Sequence, residues 1–567
     1  MSLEIRWQPC VFVAVMAVAA CQPGTVQQQS NNDPASNSVG SDAVNDGAAS
    51  DLGCVGPNCA SSDASTDPGL PDVGRDALTT PDAMSDMPSA RDMTGDTADM
   101  PVSNTTCGDG VCQADEHCQF CAQDCGACQP DGPTIVRGPY LQLATETSIV
   151  IKWRTDVDTD SVVAWGPTPG NLRAAVSDAA PTTRHELKIE GLSPETRYAY
   201  AVGMTGATLI GDDDGHYFDT LPPNGATRVT RIWAIGDSGD TGSDQIAVRD
   251  AYLNYAGAAE ANVWLMLGDN AYSDGMDDEY QAAVFDPDAY ADLVKRSVIW
   301  PTIGNHERVD DNGLASPYFE IFTLPTQGEA GGLASGTEYY YSFDYGDIHF
   351  VCLDSDTSSE SAAAMTWLRN DLAANDKSWL IAYWHHPPYT NGSHNSDDEG
   401  TLEDMRVNFV PILEEYGVDM VFTGHSHSYE RSLLLYGHYG ASDELAGNPE
   451  FVVARENDDT PSDGDPNGDG PYTKVPAASC PDIGTALAST HCGTVYSVVG
   501  SSSKISGSDF PTRYDGGPLM PMMFTYKETL GSVVIDIDGN RADVVFLDSG
   551  TNGDPNAAIT DRWAILK

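Results

Sequence analysis

Five short runs decide what this chain can fold into. RIWAIGD, NVWLMLGD, SVIWPTIGNH, WLIAYWHH and VDMVFTGHSH are stretches of large apolar residues that end abruptly at polar groups. Continuous runs rich in Val, Ile and Trp suit strands buried on both faces of an α/β sheet. In such sheets ligands collect outside the carboxyl ends of the strands. The polar ends here are GDSG at 236–239, GDNAY at 268–272, GNHE at 304–307, AYWHHPP at 382–388 and GHSH at 424–427. Folded together, they bring Asp237, Asp269, Asn305, His385, His425 and His427 to one pocket. That many oxygen and imidazole donors is enough for two metal ions, held about 3.5–4 Å apart by a shared carboxylate. Singly, each block is ordinary turn chemistry. All five in order predict a dinuclear metal site.

The 567 residues allow two or three domains with a sizeable core. From 228 onward strands and helices alternate, and AAAMTWLRNDLAAN (362–375) has the period of an amphipathic helix. Residues 133–222 instead alternate in short strands (TSIVIKWRT, SVVAWG, HELKIEGL, RYAYAVGM) separated by turn residues, the pattern of a β-sandwich.

The N-terminus reads differently. Residues 1–20 carry an apolar stretch, PCVFVAVMAVAA, shaped like a signal peptide and too short to span a membrane comfortably. Val18-Ala19-Ala20-Cys21 resembles a bacterial lipobox, which implies cleavage before Cys21 and lipid on its thiol. Ordinary signal cleavage is the plainer alternative. The expected location is outside the cytoplasm, on a bacterial surface or in the periplasm, anchored to the outer membrane by lipid. Residues 21–105 are dominated by Asp, Ser, Ala, Pro and Gly, a composition that cannot offset ordering entropy by burial and predicts a disordered acidic linker. A Cys-rich module follows at 106–129, with six cysteines in 107–128. Export favours disulfides there over a zinc knuckle. Cys54 with Cys59 and Cys480 with Cys492 form two further local pairs, and Cys352, inside IHFVCLDS, is expected as a buried free thiol.

The net charge of −57 argues against nucleic acid, and against an anionic membrane surface, as partner. Any membrane contact would pass through the lipid alone. Between 436 and 494 Asp, Gly, Pro and Asn dominate. Asp463, Asp465, Asn467, Gly468 and Asp469 make the first half of a calcium loop, but Lys474 stands where a bidentate Glu belongs, so the segment reads as an acidic insertion loop.

Together the five blocks resemble the metallophosphoesterase superfamily, and the Tyr of GDNAY narrows the resemblance to purple acid phosphatases. Their pattern, GDxG, GDxxY, GNHE, VxxH and GHxH, covers 228–548, with Ala382 where Val is typical. The preceding sandwich resembles their N-terminal domain, and GLSPETRYAYAV (191–202) resembles fibronectin type III domains. The resemblance implies a four-layer α/β metallophosphoesterase sandwich flanked by helices, behind an all-β domain, with 549–567 as a C-terminal segment. It implies an Fe(3+) site of Asp237, Asp269, Tyr272 and His427. A second divalent metal (Zn, Mn or Fe) would be held by Asp269, Asn305, His385 and His425, with Asp269 bridging. His306 and His394 would both face the substrate, where catalysis needs a phosphate anchor and a proton donor, whereas His386 reads as a packed neighbour. The implied activity is acid phosphatase action on small phosphorylated substrates. A phosphodiesterase or nucleotidase on the same centre is the alternative, and a non-catalytic surface adhesin a more distant one.

Overall fold

The computed structural model describes residues 132–307, 317–442, 444, 449–454, 461–484, 486–506 and 520–567. The signal peptide, Cys21, the acidic linker and the Cys-rich module lie outside the described residues. No described helix is long and apolar enough to cross a membrane.

The first domain is all β. Its long strand Ser148–Gly166 pairs antiparallel with Ile135–Gln142, Ala174–Glu190 and Arg197–Met204, and so joins all three in one six-stranded sheet. Trp153, Ile149, Ile151 and Tyr200 fill its core. The domain is fixed to the next by polar contacts. Arg137 and Arg154 both grip Asp277, at 2.9 and 2.6 Å, and Tyr140 donates its hydroxyl hydrogen to the carbonyl of Ile321 at 2.9 Å.

The second domain is built on two seven-stranded sheets. One contains Thr230–Ile235, Val263–Met266 and Ile299–Pro301 as parallel neighbours, extended by the antiparallel strands Leu530–Asp538 and Arg541–Gly550. The other contains Ile348–Cys352, Trp379–Tyr383, Met420–Thr423 and Val495–Val499, also parallel. Period-2 sorting explains why both faces of these strands are apolar. Phe350, Ile381, Tyr383 and Phe422 join Ile232, Ala234, Val533 and Ile535 in the core shared by the two sheets. The alternate residues Val351, Ala382 and Val421 pack outward against Trp367, Leu368 and Leu413 of the helices Ala362–Ala374 and Val410–Glu415. The expected amphipathic helix is present, capped by Ser361, whose hydroxyl accepts the N–H of Ala364 at 3.2 Å.

Two sequence-level boundaries need correction. The boundary at 548/549 falls inside the strand Arg541–Gly550, and the C-terminal segment joins the same sheet, because Ala558–Leu566 pairs along that strand and buries Trp563 and Ile565. The acidic insertion is not merely loop. Tyr472–Thr473 adds to the edge of Ala558–Leu566, and Lys474 is buried, its ammonium donating to the carbonyls of Gly417 and Val418 at 3.2 and 3.1 Å. A disulfide between Cys480 and Cys492 closes the segment, and Cys352 is a buried free thiol.

Candidate metal centre

The five strand ends do converge. Three of the residues at the turns have left-handed backbones that side-chain-bearing residues rarely adopt: Asp237 at φ +53°, Asp269 at +51° and His425 at +68°. The neighbouring glycines are required by space. A Cβ on Gly268 (φ +89°) would lie 2.6 Å from Nδ1 of His385, and one on Gly304 would collide with Oδ1 of Asp269.

Asp269 is fully enclosed at the middle of the cluster, and its two oxygens face opposite ways. Oδ1 lies 3.3 Å from Nε2 of His385 and accepts the backbone N–H of His306 at 3.0 Å. Oδ2 accepts the Tyr272 hydroxyl at 2.9 Å. On the tyrosine side the same hydroxyl reaches Oδ1 of Asp237 at 3.1 Å, and Nε2 of His427 is 3.3 Å from that oxygen. On the other side Oδ1 of Asn305 lies 3.0 Å from Nε2 of His385 and 3.0 Å from Nδ1 of His425. The seven residues picked out in the sequence therefore form two groups that share Asp269.

Backbone contacts fix which imidazole nitrogen faces inward. The Nδ1–H of His385 donates to the carbonyl of Leu267 at 2.8 Å, which leaves Nε2 toward Asn305 and Asp269. Burial opposes a charge on His385, but the Asp269 and Asp237 carboxylates outweigh it and push its pKa up to about 10. Burial, aided by His385 and His394, takes His425 down to about 4 despite Glu399, so its ring is neutral near pH 7. Burial and the two aspartates push the Tyr272 phenol well above its usual range. Two buried carboxylates, an amide oxygen, a phenol and the imidazole nitrogens make a donor set that fits cations. The inward atoms of Asp237, Asp269 and His385 lie within 4.8 Å of one another, as do those of His385, His386 and His425.

The two remaining histidines flank the cluster. His306 donates from Nδ1 to the carbonyl of Ser273 at 2.5 Å and holds Nε2 3.8 Å from Oδ2 of Asp269, with its side chain 34% exposed. His394 stacks on His425 with ring centroids 3.8 Å apart. His386 is buried, its Nδ1 2.9 Å from the hydroxyl of Ser355.

Sequence reading missed four neighbours. Buried Glu307, inside the GNHE block, accepts the N–H groups of Asp269, Asn270 and Gly304 at 3.0, 2.5 and 2.6 Å. Glu399 meets His394 at 3.0 Å. Ser506 lies 2.7 Å from Nδ1 of His427, and the ammonium of Lys504 sits 3.3 Å above the ring centre of Tyr272. Lys504 and Ser506 stand in a loop remote in sequence from the blocks they serve, Glu399 follows His394 by five residues in an acidic run, and only Glu307 had a signal, its place in the motif.

Two segments of the chain match known protein families. Residues 230–429 match the calcineurin-like phosphoesterase family, and residues 136–219 match the purple acid phosphatase N-terminal domain. Residues 136–219 and 230–429 are thus similar, in that order, to a purple acid phosphatase N-terminal domain followed by a calcineurin-like phosphoesterase domain. It is 31% identical over 277 residues to purple acid phosphatase 15 of Arabidopsis thaliana, a match covering 45% of this chain and 50% of that protein. It is 31% identical over 283 residues to purple acid phosphatase 23 of the same plant, covering 45% and 58%. The chain thus spans little more than half the length of these relatives. A solved purple acid phosphatase from yellow lupin (Lupinus luteus) seeds shares the fold, with a TM-score of 0.56, 17% identity and coverage of 78% of this chain and 75% of that one.

Proposed function

We propose that the protein hydrolyses phosphate monoesters at a dinuclear metal centre, as the names of its relatives suggest. The observation that carries this reading is the divided environment of Asp269, one oxygen toward Tyr272 and the other toward His385. Asp237, Asp269, Tyr272 and His427 would hold Fe(3+), since a phenolate and carboxylates are hard anionic donors. Asp269, Asn305, His385 and His425 would hold a divalent ion, whether Zn, Mn or Fe. Bound metals there would set positive charge against a phosphoryl group and lower the pKa of a nucleophilic water.

The chain's own residues do the rest. His306, exposed on one side and fixed by Ser273, can present Nε2–H to a phosphoryl oxygen or to the departing alkoxide. His394 stands across the cluster on the His425 side, so a phosphoryl group seated between them is contacted from both flanks. The substrate is read as a small phosphorylated molecule. The location proposed is the exported, lipid-anchored one read at Cys21, and Cys21→Ser should release the protein from membranes while leaving turnover unchanged. Wild-type protein recovered wholly soluble after export, with an unmodified residue 21, would oppose that placement.

The enzymatic reading is tested by turnover of nitrophenyl phosphate against bis(nitrophenyl) phosphate with metal-loaded protein. A monoester preference supports it. A diester preference would transfer the same centre to phosphodiesterase work, and no turnover of either would leave a binding role for the surface.

A further inference from the structure

His394 and His425 share one carboxylate. Nδ1 of His394 donates to Glu399, at 3.1 Å from Oε1 and 3.0 Å from Oε2, and Nε2 of His425 lies 3.8 Å from Oε2. The two rings stack at 3.8 Å with planes 29° apart. Glu399 is itself held. It accepts the backbone N–H of Asn395 at 2.9 Å, and its own N–H donates to the carbonyl of Asn395 at 3.1 Å, closing the loop that carries His394. The His394 and Glu399 side chains are 32% and 38% exposed, so this corner opens to solvent on one side.

We infer that Glu399 is a positioning residue: it fixes the ring and tautomer of His394 so that Nε2 faces the substrate side. The inference rests on the phosphatase reading for its kinetic test alone. The physical ground is that a histidine on a loop has two tautomers and a free χ2, and a carboxylate on Nδ1–H removes both freedoms. Carboxylates behind metal-facing imidazoles have the same orienting effect, and their loss typically costs 10–100-fold in affinity or activity. His306 differs, being fixed by a neutral carbonyl, so the two flanking histidines are held by different means.

The test is a mutant cycle on the metal-loaded full chain. Glu399→Ala should lower kcat by about 10–100-fold with little change in KM. His394→Ala combined with Glu399→Ala should be no worse than His394→Ala within about 2-fold, because Glu399 acts through that ring. Glu399→Gln keeps an acceptor oxygen and should recover most of the loss. Losses that multiply in the double variant, or Glu399→Gln as impaired as Glu399→Ala, would overturn the inference. A second readout is independent of turnover. Imidazole nitrogen NMR of the zinc-loaded protein should find His394 as the Nδ1–H tautomer, with the Nε2–H form appearing in Glu399→Ala. Wild-type His394 in the Nε2–H form would overturn the inference even in an active enzyme. A protein that hydrolyses no ester but shows the Nδ1–H signature would sink the phosphatase reading and leave the positioning role standing.

Discussion

The carboxylate of Glu307 accepts the N–H of Asp269 at 3.0 Å from a place with no solvent exposure. It accepts three more N–H groups, from Asn270, Ala271 and Gly304, and so holds the turn in which Asp269 takes its left-handed backbone. Glu307→Ala would leave these donors buried and unpaired. It should destabilise the protein by about 3–5 kcal/mol, since each buried donor left unpaired costs about 1–3 kcal/mol. Urea unfolding measures this, and a loss under about 1 kcal/mol would mean that the turn holds itself.

Stability should fall on the alkaline side for a reason remote from the metal cluster. His349 is buried between two carboxylates, with Nδ1 2.7 Å from Asp344 and Nε2 2.8 Å from Asp371. Burial opposes its charge, but the two aspartates outweigh burial and push its pKa up to about 9. A pKa raised on folding gives stability that is complete below the unfolded value of about 6.5 and lost as pH rises through 9. The contribution is on the order of 3 kcal/mol. His349→Gln should be less stable at pH 6 and should flatten the decline between pH 6.5 and 9. An unchanged slope in that window would assign the decline to other groups.

The sequence carried the two-sheet catalytic fold and the cluster's composition because both rest on local signals. Runs such as WLIAYWHH are long enough to show burial on both faces, and the ligands sit at their ends. Glu399, Lys504 and Ser506 were not legible, since each reaches the site from a loop whose path depends on tertiary packing. Glu399 looks like any member of the acidic run SDDEG. The strand Tyr472–Thr473 is two residues long, too short to leave a period in an Asp- and Gly-rich stretch. The strand Ala558–Leu566 opens on three exposed residues, Ala558, Ile559 and Thr560, so its alternation of buried and exposed positions is clear only near Trp563 and Ile565.

Tyr272 separates this reading from that of a phosphoesterase without a tyrosine ligand. A phenolate on ferric iron absorbs in the visible, so purified protein should be pink to violet. Tyr272→Phe keeps the ring between Lys504 and His306 but removes the oxygen that meets Asp237 and Asp269. The colour should vanish while the fold persists. Colourless, iron-free and fully active wild-type protein would make Tyr272 a packing residue.

His306→Ala should lower turnover by about 10²–10⁴-fold, the usual worth of a general acid, with metal content retained. The loss should be smaller for nitrophenyl phosphate than for alkyl phosphates, whose leaving groups need the proton more. Equal losses would leave His306 with phosphate positioning only.

The central claim is that one carboxylate, Asp269, joins two metal sites on which hydrolysis depends. Elemental analysis of wild-type and Asp269→Ala protein, with phosphatase rates on the same samples, tests it most directly. The wild-type chain should carry two metal ions, and the variant should lose both with a fall in rate of at least about 10⁴-fold, the scale of losing metal catalysis altogether. Wild-type protein fully active with a single ion per chain, or Asp269→Ala that keeps two ions and its rate, would contradict it.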